Sequence, residues 1–221
     1  MLTSPTRTSH PLNTVPALFP SYAAISILFL FFILLSGPAA ANTEVYALLP
    51  GDVAVTGYAV GDIDGDSLDE LALLYRSGGR QALSLFHARD GHWTRWWDLP
   101  ETSSTQGGLT LHSFGILDSN GSGTPEIALY LTSPGGATMV TRILGFVRSD
   151  SQEPEFRILL EDFTLPAGYP VYGSLEDRPS VTFLNMGGRD TKGKPLPGYS
   201  RVYCWETDRF EKCDETVWEV P

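Results

Sequence analysis

Cysteine, histidine and basic residues are scarce in this chain, and each scarcity argues against a class of protein. Only two cysteines, Cys204 and Cys213, occur in 221 residues, with no Cys-x-x-Cys pair and no histidine beside either. A structural zinc site draws four Cys or His ligands at close spacing, so these two argue against zinc. Of four histidines, His87, His92 and His112 lie beyond residue 41, and each stands alone. A Gly-x-Ser-x-Gly elbow, a His-Glu-x-x-His helix and a phosphate-binding glycine loop are all missing, and the chain reads as non-catalytic. Lys and Arg number 15 against 26 Asp and Glu, a net charge of −11. Arg7 is the only one of these in residues 1–41, so the remainder carries 14 positive and 26 negative charges, or −12. A nucleic-acid binder needs a basic face that displaces counterions from phosphates, and this balance argues against one. It suits a cationic partner such as a metal ion. A helical period is also missing beyond residue 41. In its place, 22 glycines and 16 prolines supply frequent turns.

What is present begins with an export segment. Residues 22–35 read YAAISILFLFFILL, too short to span a bilayer but suited to the apolar core of a secretory signal peptide. Ala39 and Ala41 satisfy the small-x-small rule, so residues 1–41 are expected to be a signal peptide cleaved after Ala41. The stretch ahead of the apolar core is long and has Arg7 as its single basic residue. Residues 18–41 are long enough to act as an uncleaved membrane anchor instead. Either way the rest of the chain lies outside the cytoplasm, periplasmic or extracellular. In such a compartment Cys204 and Cys213 form a disulfide candidate. The segment YCWETDRFEKC (203–213) then reads as two short strands around Thr207-Asp208; two unpaired buried thiols are the alternative.

The exported part repeats. Laid over itself without a gap, GDIDGDSLDELALLYRSGG (61–79) falls on LDSNGSGTPEIALYLTSPG (117–135), with Asp62 on Asp118, Gly65 on Gly121, Glu70 on Glu126 and Ala72 on Ala128. A weaker third copy, GSLEDRPSVTFLN, starts near Gly173 with a shorter loop and without the regular acidic spacing. A fixed offset of this size marks stacked supersecondary units. Within a unit, runs such as ELALLYR (70–76) and QALSLFHAR (81–89) are separated by Gly78-Gly79 and Asp90-Gly91, strong hairpin signals. The fold expected is all-β, with two to three four-stranded blade-like repeats at about 44–100, 101–160 and a degenerate 161–221, forming a partial propeller or an open β-array. Residues 187–200 read as a long mobile loop.

The acidic loops carry the chemistry. Asp62, Asp64, Asp66 and Glu70 occupy positions 1, 3, 5 and 9 of the first loop, with Gly65 permitting a sharp bend. Alternating carboxylates on a tight loop converge on one centre, and oxygen ligands in that number suit Ca²⁺. The carbonyl of Leu68 adds a further ligand. The second loop offers Asp118, Asn120, Ser122, the carbonyl of Thr124, and Glu126, and its two carboxylates predict weaker binding. An EF-hand loop is excluded by Ser67 and Leu73 where Gly and an acid belong, and by the strand setting.

GDIDGDSLDELAL and LDSNGSGTPEIAL resemble the FG-GAP/VCBS repeat of integrin alpha-chain propellers and many exported bacterial proteins, apart from Ser67 for Gly and Ser122 for Asp or Asn. The resemblance implies a propeller blade for each repeat, and implies calcium ligation by Asp62, Asp64, Asp66, the Leu68 carbonyl and Glu70. It implies the same for Asp118, Asn120, Ser122, the Thr124 carbonyl and Glu126. Length departs from the family, because the chain beyond Ala41 holds three blades at most. Three blades do not close a ring, and exposed sheet edges favour association, including a homo-oligomer. Two functions fit: a calcium-stiffened adhesion or protein-interaction module, or a glycan-binding module stacking sugars on Trp93, Trp96 and Trp97. An accessory subunit of a larger exported assembly is a third. On a regular strand Trp93 and Trp97 share a face and Trp96 takes the other.

Overall fold

The computed structural model describes residues 44–99, 108–148, 155–165, 168–189 and 192–219. The expected signal peptide or anchor, 1–41, lies outside the described residues, as does 101–107 at the start of the second repeat. Among the described residues, three four-stranded antiparallel sheets and one two-stranded ladder form. The first is β1 (Ala54–Gly61), β2 (Glu70–Ser77), β3 (Arg80–Arg89) and β4 (His92–Asp98), side by side in chain order. The second is β5 (Thr110–Leu117), β6 (Glu126–Thr132), β7 (Met139–Val147) and β8 (Glu155–Thr164), again in chain order. The third runs β9 (Val171–Leu175), β10 (Arg178–Asn185), β13 (Gly198–Glu206), β14 (Arg209–Trp218). No sheet closes on itself among the described residues, and the all-β expectation holds.

The repeat is structural as well as sequential. Strands β1 and β5 begin at 54 and 110 and end at 61 and 117, so the sequence offset is kept at both ends. Each carries a bulge at the same place, between Val55 and Gly57 and between Leu111 and Ser113. The constant offset ends at the next hairpin. Ala72 pairs with Leu85, but Ala128 pairs with Ile143, so the third strand of the second sheet lags by two positions. The proline-containing turn between β6 and β7 absorbs the difference. In the third sheet β9 and β10 are joined by Glu176 and Asp177 alone, both with positive φ (51° and 62°). Positive φ at both central residues is the hairpin turn whose twist matches its strands, so no room remains for an acidic loop.

Packing explains why the central strands lack polar-apolar alternation. Leu74, Leu83 and Leu85 of the first sheet meet Leu111, Ile127, Leu129 and Leu131 of the second in one buried cluster. The opposite face of the second sheet places Ile143, Leu159 and Leu160 against Val181, Phe183 and Phe210 of the third. The far face of the first sheet is covered by a helical turn at 44–47, whose Val45, with Leu49 just beyond, packs on Leu73, Tyr75 and Phe86. Strands β2 and β6 are therefore buried on both faces. Each fully buried Leu, Ile or Phe contributes about 1.5–3 kcal/mol relative to exposure.

Two expectations are corrected. Trp97 does not share a face with Trp93. Leu85 pairs with Trp97 while Phe86 pairs with Arg95, so Trp96 sits in a bulge and the alternation slips by one residue. Trp96 and Trp97 both join the cluster between the first two sheets, and Trp93 packs on the other side with Val45 and Leu49. Residues 187–200 are not one loop. Gly188–Arg189 (β11) pairs with Pro195–Leu196 (β12), and β13 starts at Gly198.

Candidate metal site

The two acidic loops connect the first and second strands of their sheets, at the same end. Their hydrogen bonds repeat with the sequence. In the first loop the amide of Ile63 donates to Glu70 Oε2 (2.7 Å); in the second the amide of Ser119 donates to Glu126 Oε2 (2.7 Å). The amide of Ser67 donates to Asp62 Oδ2 (3.0 Å), and that of Gly123 to Asp118 Oδ2 (2.9 Å). The amide of Asp66 donates to Asp64 Oδ1, and that of Ser122 to Asn120 Oδ1. Each loop is thus a backbone ring tied to inward acceptors. Gly65 and Gly121 sit at φ 72°, and Ser67 at φ 72° stands where the second loop has Gly123 at 87°. A left-handed conformation is disfavoured for a residue with a Cβ, which is why the resemblance expects Gly at this place.

The first loop gathers three carboxylates. One oxygen each from Asp62, Asp64 and Glu70 lie within 4.8 Å of one another, a group that could hold a metal ion. Glu70 is buried, 1% exposed, although it carries an acidic side chain. Burial foremost, and then the nearby charges of Asp64 and Asp66, push its carboxyl up to about 7 against the amide hydrogen bond from Ile63. Burial likewise raises Asp64. Asp62 Oδ2 accepts from Ser67, and its Oδ1 is buried with no hydrogen-bond partner. Oxygen ligands gathered in this way, with one carboxylate oxygen left unpartnered, form a donor set that could hold a metal ion. Asp66 lies outside the triad, its Oδ1 accepting from the amide of Leu68, and Leu68 itself is exposed.

The second loop has the same frame with fewer charges. Glu126 is buried and its carboxyl raised by that burial, opposed by two hydrogen bonds from Ser119. Ser122 Oγ donates to the carbonyl of Thr124, so both of these expected ligands are already partnered. Only Asp118 and Glu126 bring carboxylates to this loop.

Two residues beside the first loop have no counterpart in the motif. Arg148, just beyond β7, donates from Nη2 to the carbonyls of Asp64 (3.1 Å) and Gly65 (3.2 Å). It follows the third strand of the second sheet and ties the loop across the sheet boundary. Thr124 also lies close, since a Cβ on Gly65 would stand 3.1 Å from its Oγ1. His87 follows Phe86, the partner of Leu71, and so lies beside Glu70 at the loop end. Its Nδ1 is buried and unpartnered, and burial foremost lowers its pKa while Asp64 and Asp66 pull the other way. No local spacing announces either residue.

The remaining sequence candidates lie elsewhere. Cys204 and Cys213 are disulfide-bonded across β13 and β14, with Cα atoms 5.7 Å apart. Trp96 packs against Phe146 (5.4 Å) and Trp97 against Phe156 (4.5 Å). Among the described residues no helix is long and apolar enough to cross a membrane.

Fold and site together define a class: an all-β chain of antiparallel sheets with a partly buried acidic triad that could hold a metal ion. Set against protein-family models, curated proteins and solved structures, the chain matches none.

Proposed function

We propose that the chain is an exported calcium-binding protein built from FG-GAP/VCBS-like blades, and that it acts as a non-catalytic adhesion or protein-interaction module. The observation that carries the reading is the triad of Asp62, Asp64 and the buried Glu70, with the unpartnered Oδ1 of Asp62, at the position where the family resemblance implies calcium. Asp62, Asp64, Asp66, the Leu68 carbonyl and Glu70 would hold the ion, which supplies charge neutralisation and rigidity. The second loop would bind more weakly. Three in-order sheets support the blade reading, and the disulfide is compatible with export. The packing of Trp96 and Trp97 against Phe146 and Phe156 favours an interaction module over sugar stacking on these residues.

Thermal unfolding in EDTA, in millimolar Ca²⁺ and in millimolar Mg²⁺ tests the proposal. Calcium at about 100 times its dissociation constant adds roughly 2.7 kcal/mol. For a domain of this size that raises Tm by several degrees. The shift should appear with Ca²⁺, not with Mg²⁺, and vanish in Asp64→Ala. Equal Tm in EDTA and Ca²⁺ would leave the repeat as a fold without its metal.

A further inference from the structure

At the end of the first two sheets opposite the acidic loops, a cavity of about 320 Å³ opens between them. Strand β2 separates the two ends by roughly 20–25 Å, at about 3.3 Å per residue. The rows of side chains that form the apolar core change character here. Ala72 and Leu74 face the second sheet, and the next residue on that face is Arg76. Leu85 and Leu83 do the same on β3, followed by Gln81. Arg76 pairs with Gln81 across the ladder, so both reach the cavity. The second sheet contributes Thr110, Thr132 and His112, with His112 displaced by the β5 bulge. Arg80 lines this cavity and also a neighbouring one of equal volume.

The lining contains two guanidinium groups and one imidazole, and no carboxylate. That is unusual placement in a chain of net charge −11. The side chains of Arg76 and His112 have no hydrogen bond or ion pair among the described residues, whereas Arg80 already has an interaction within the protein. A guanidinium presents a planar fork of donors that matches an oxyanion. Thr110 and Gln81 add neutral hydrogen-bonding groups around it, Thr132 Oγ1 donates instead to the carbonyl of Thr110, and Leu109 and Leu111 supply an apolar wall. The volume lies at the lower end of small-molecule sites. It exceeds what an inorganic ion needs and suits an anion with an organic body.

We propose that this cavity binds a small organic anion, with Arg76 as the principal oxyanion contact and His112 and Arg80 as flanking donors. The site is separate from the acidic loops and does not depend on their metal.

The test is a titration of the full chain with succinate, glucuronate and inorganic phosphate at constant ionic strength, followed by calorimetry and by the ring-proton NMR signals of His112. Saturable binding of succinate or glucuronate is expected, with the His112 signals shifting in step. Arg76→Gln should weaken it at least tenfold, and Arg76→Lys, which keeps the charge but loses the fork, should weaken it less. Binding by phosphate with the same Arg76 dependence would support the oxyanion site and assign a phosphorylated ligand. Two results would overturn the proposal: no saturation by any of the three at tens of millimolar, or affinity unchanged in Arg76→Gln. Arg76 is exposed, so the variant is expected to fold, and an unchanged Tm in the absence of ligand checks this.

Discussion

Glu70 is the residue on which the metal loop turns. It is the first residue of β2, it accepts from the loop amide at Ile63, and it is buried beside two further carboxylates. With its carboxyl pushed up to about 7 from 4.5, the folded chain binds this proton more tightly than the unfolded chain does. Without a divalent ion, its contribution to stability is fully present below the unfolded value and is lost as pH rises through about 7. A cation requires the ionised carboxylate, so calcium affinity should rise over the same interval with release of a proton. Calorimetric titration at about pH 6 and pH 8, in buffers of different ionisation enthalpy, reads both effects. Equal affinity at the two pH values would remove Glu70 from the ligand set. The spacing of acids at 62, 64 and 70 was legible because a tight loop turns alternate side chains inward. Arg148 was not, because the long stretch of chain between it and Gly65 carries no local pattern that links them.

Among the elements, the hairpin of β13 and β14 shows how a covalent link and a turn combine. Glu206 pairs with Arg209 around Thr207-Asp208, and the disulfide closes a loop of sequence separation 9 at the strand bulge. A loop this short restricts the unfolded chain by about 2–3 kcal/mol. Replacing both cysteines with alanine should lower urea stability by about that amount and leave the calcium response intact. A loss of calcium binding in that variant would instead mean that the third sheet supports the first loop. Strand positions were readable from the apolar runs bounded by Gly78-Gly79 and Asp90-Gly91, all four of which have positive φ. Bulges were not readable. The one between Leu85 and Phe86 is set by the pairing partner, so it moved Trp97 to the face of Trp96 without any mark in the strand itself. The short β11–β12 ladder was hidden for a similar reason: its two rungs are backbone pairs, and Pro195 and Leu196 carry no period.

Across the whole molecule, apolar clusters bind the three sheets in sequence order, and the helical turn at 44–47 covers the free face of the first. The last sheet leaves Val171, Leu175 and Leu184 exposed. The tryptophans belong to this scale. Trp96 and Trp97 fill the seam with Phe146 and Phe156, so alanine at either should cost about 2–3 kcal/mol, below the roughly 3–5 kcal/mol of a fully buried aromatic. Urea unfolding checks this, and stability unchanged by both substitutions would return them to a binding role. Arg148, just beyond β7, holds the first loop through the carbonyls of Asp64 and Gly65, so a metal bound there would also strengthen the seam between the first two sheets. The central claim is that the triad holds calcium, and calorimetric titration of the chelator-stripped chain tests it most directly. The account predicts one tight calcium site that is lost in Asp64→Asn, with any second site weaker and retained. No heat of binding at millimolar Ca²⁺, or a tight site that survives Asp64→Asn, would contradict it.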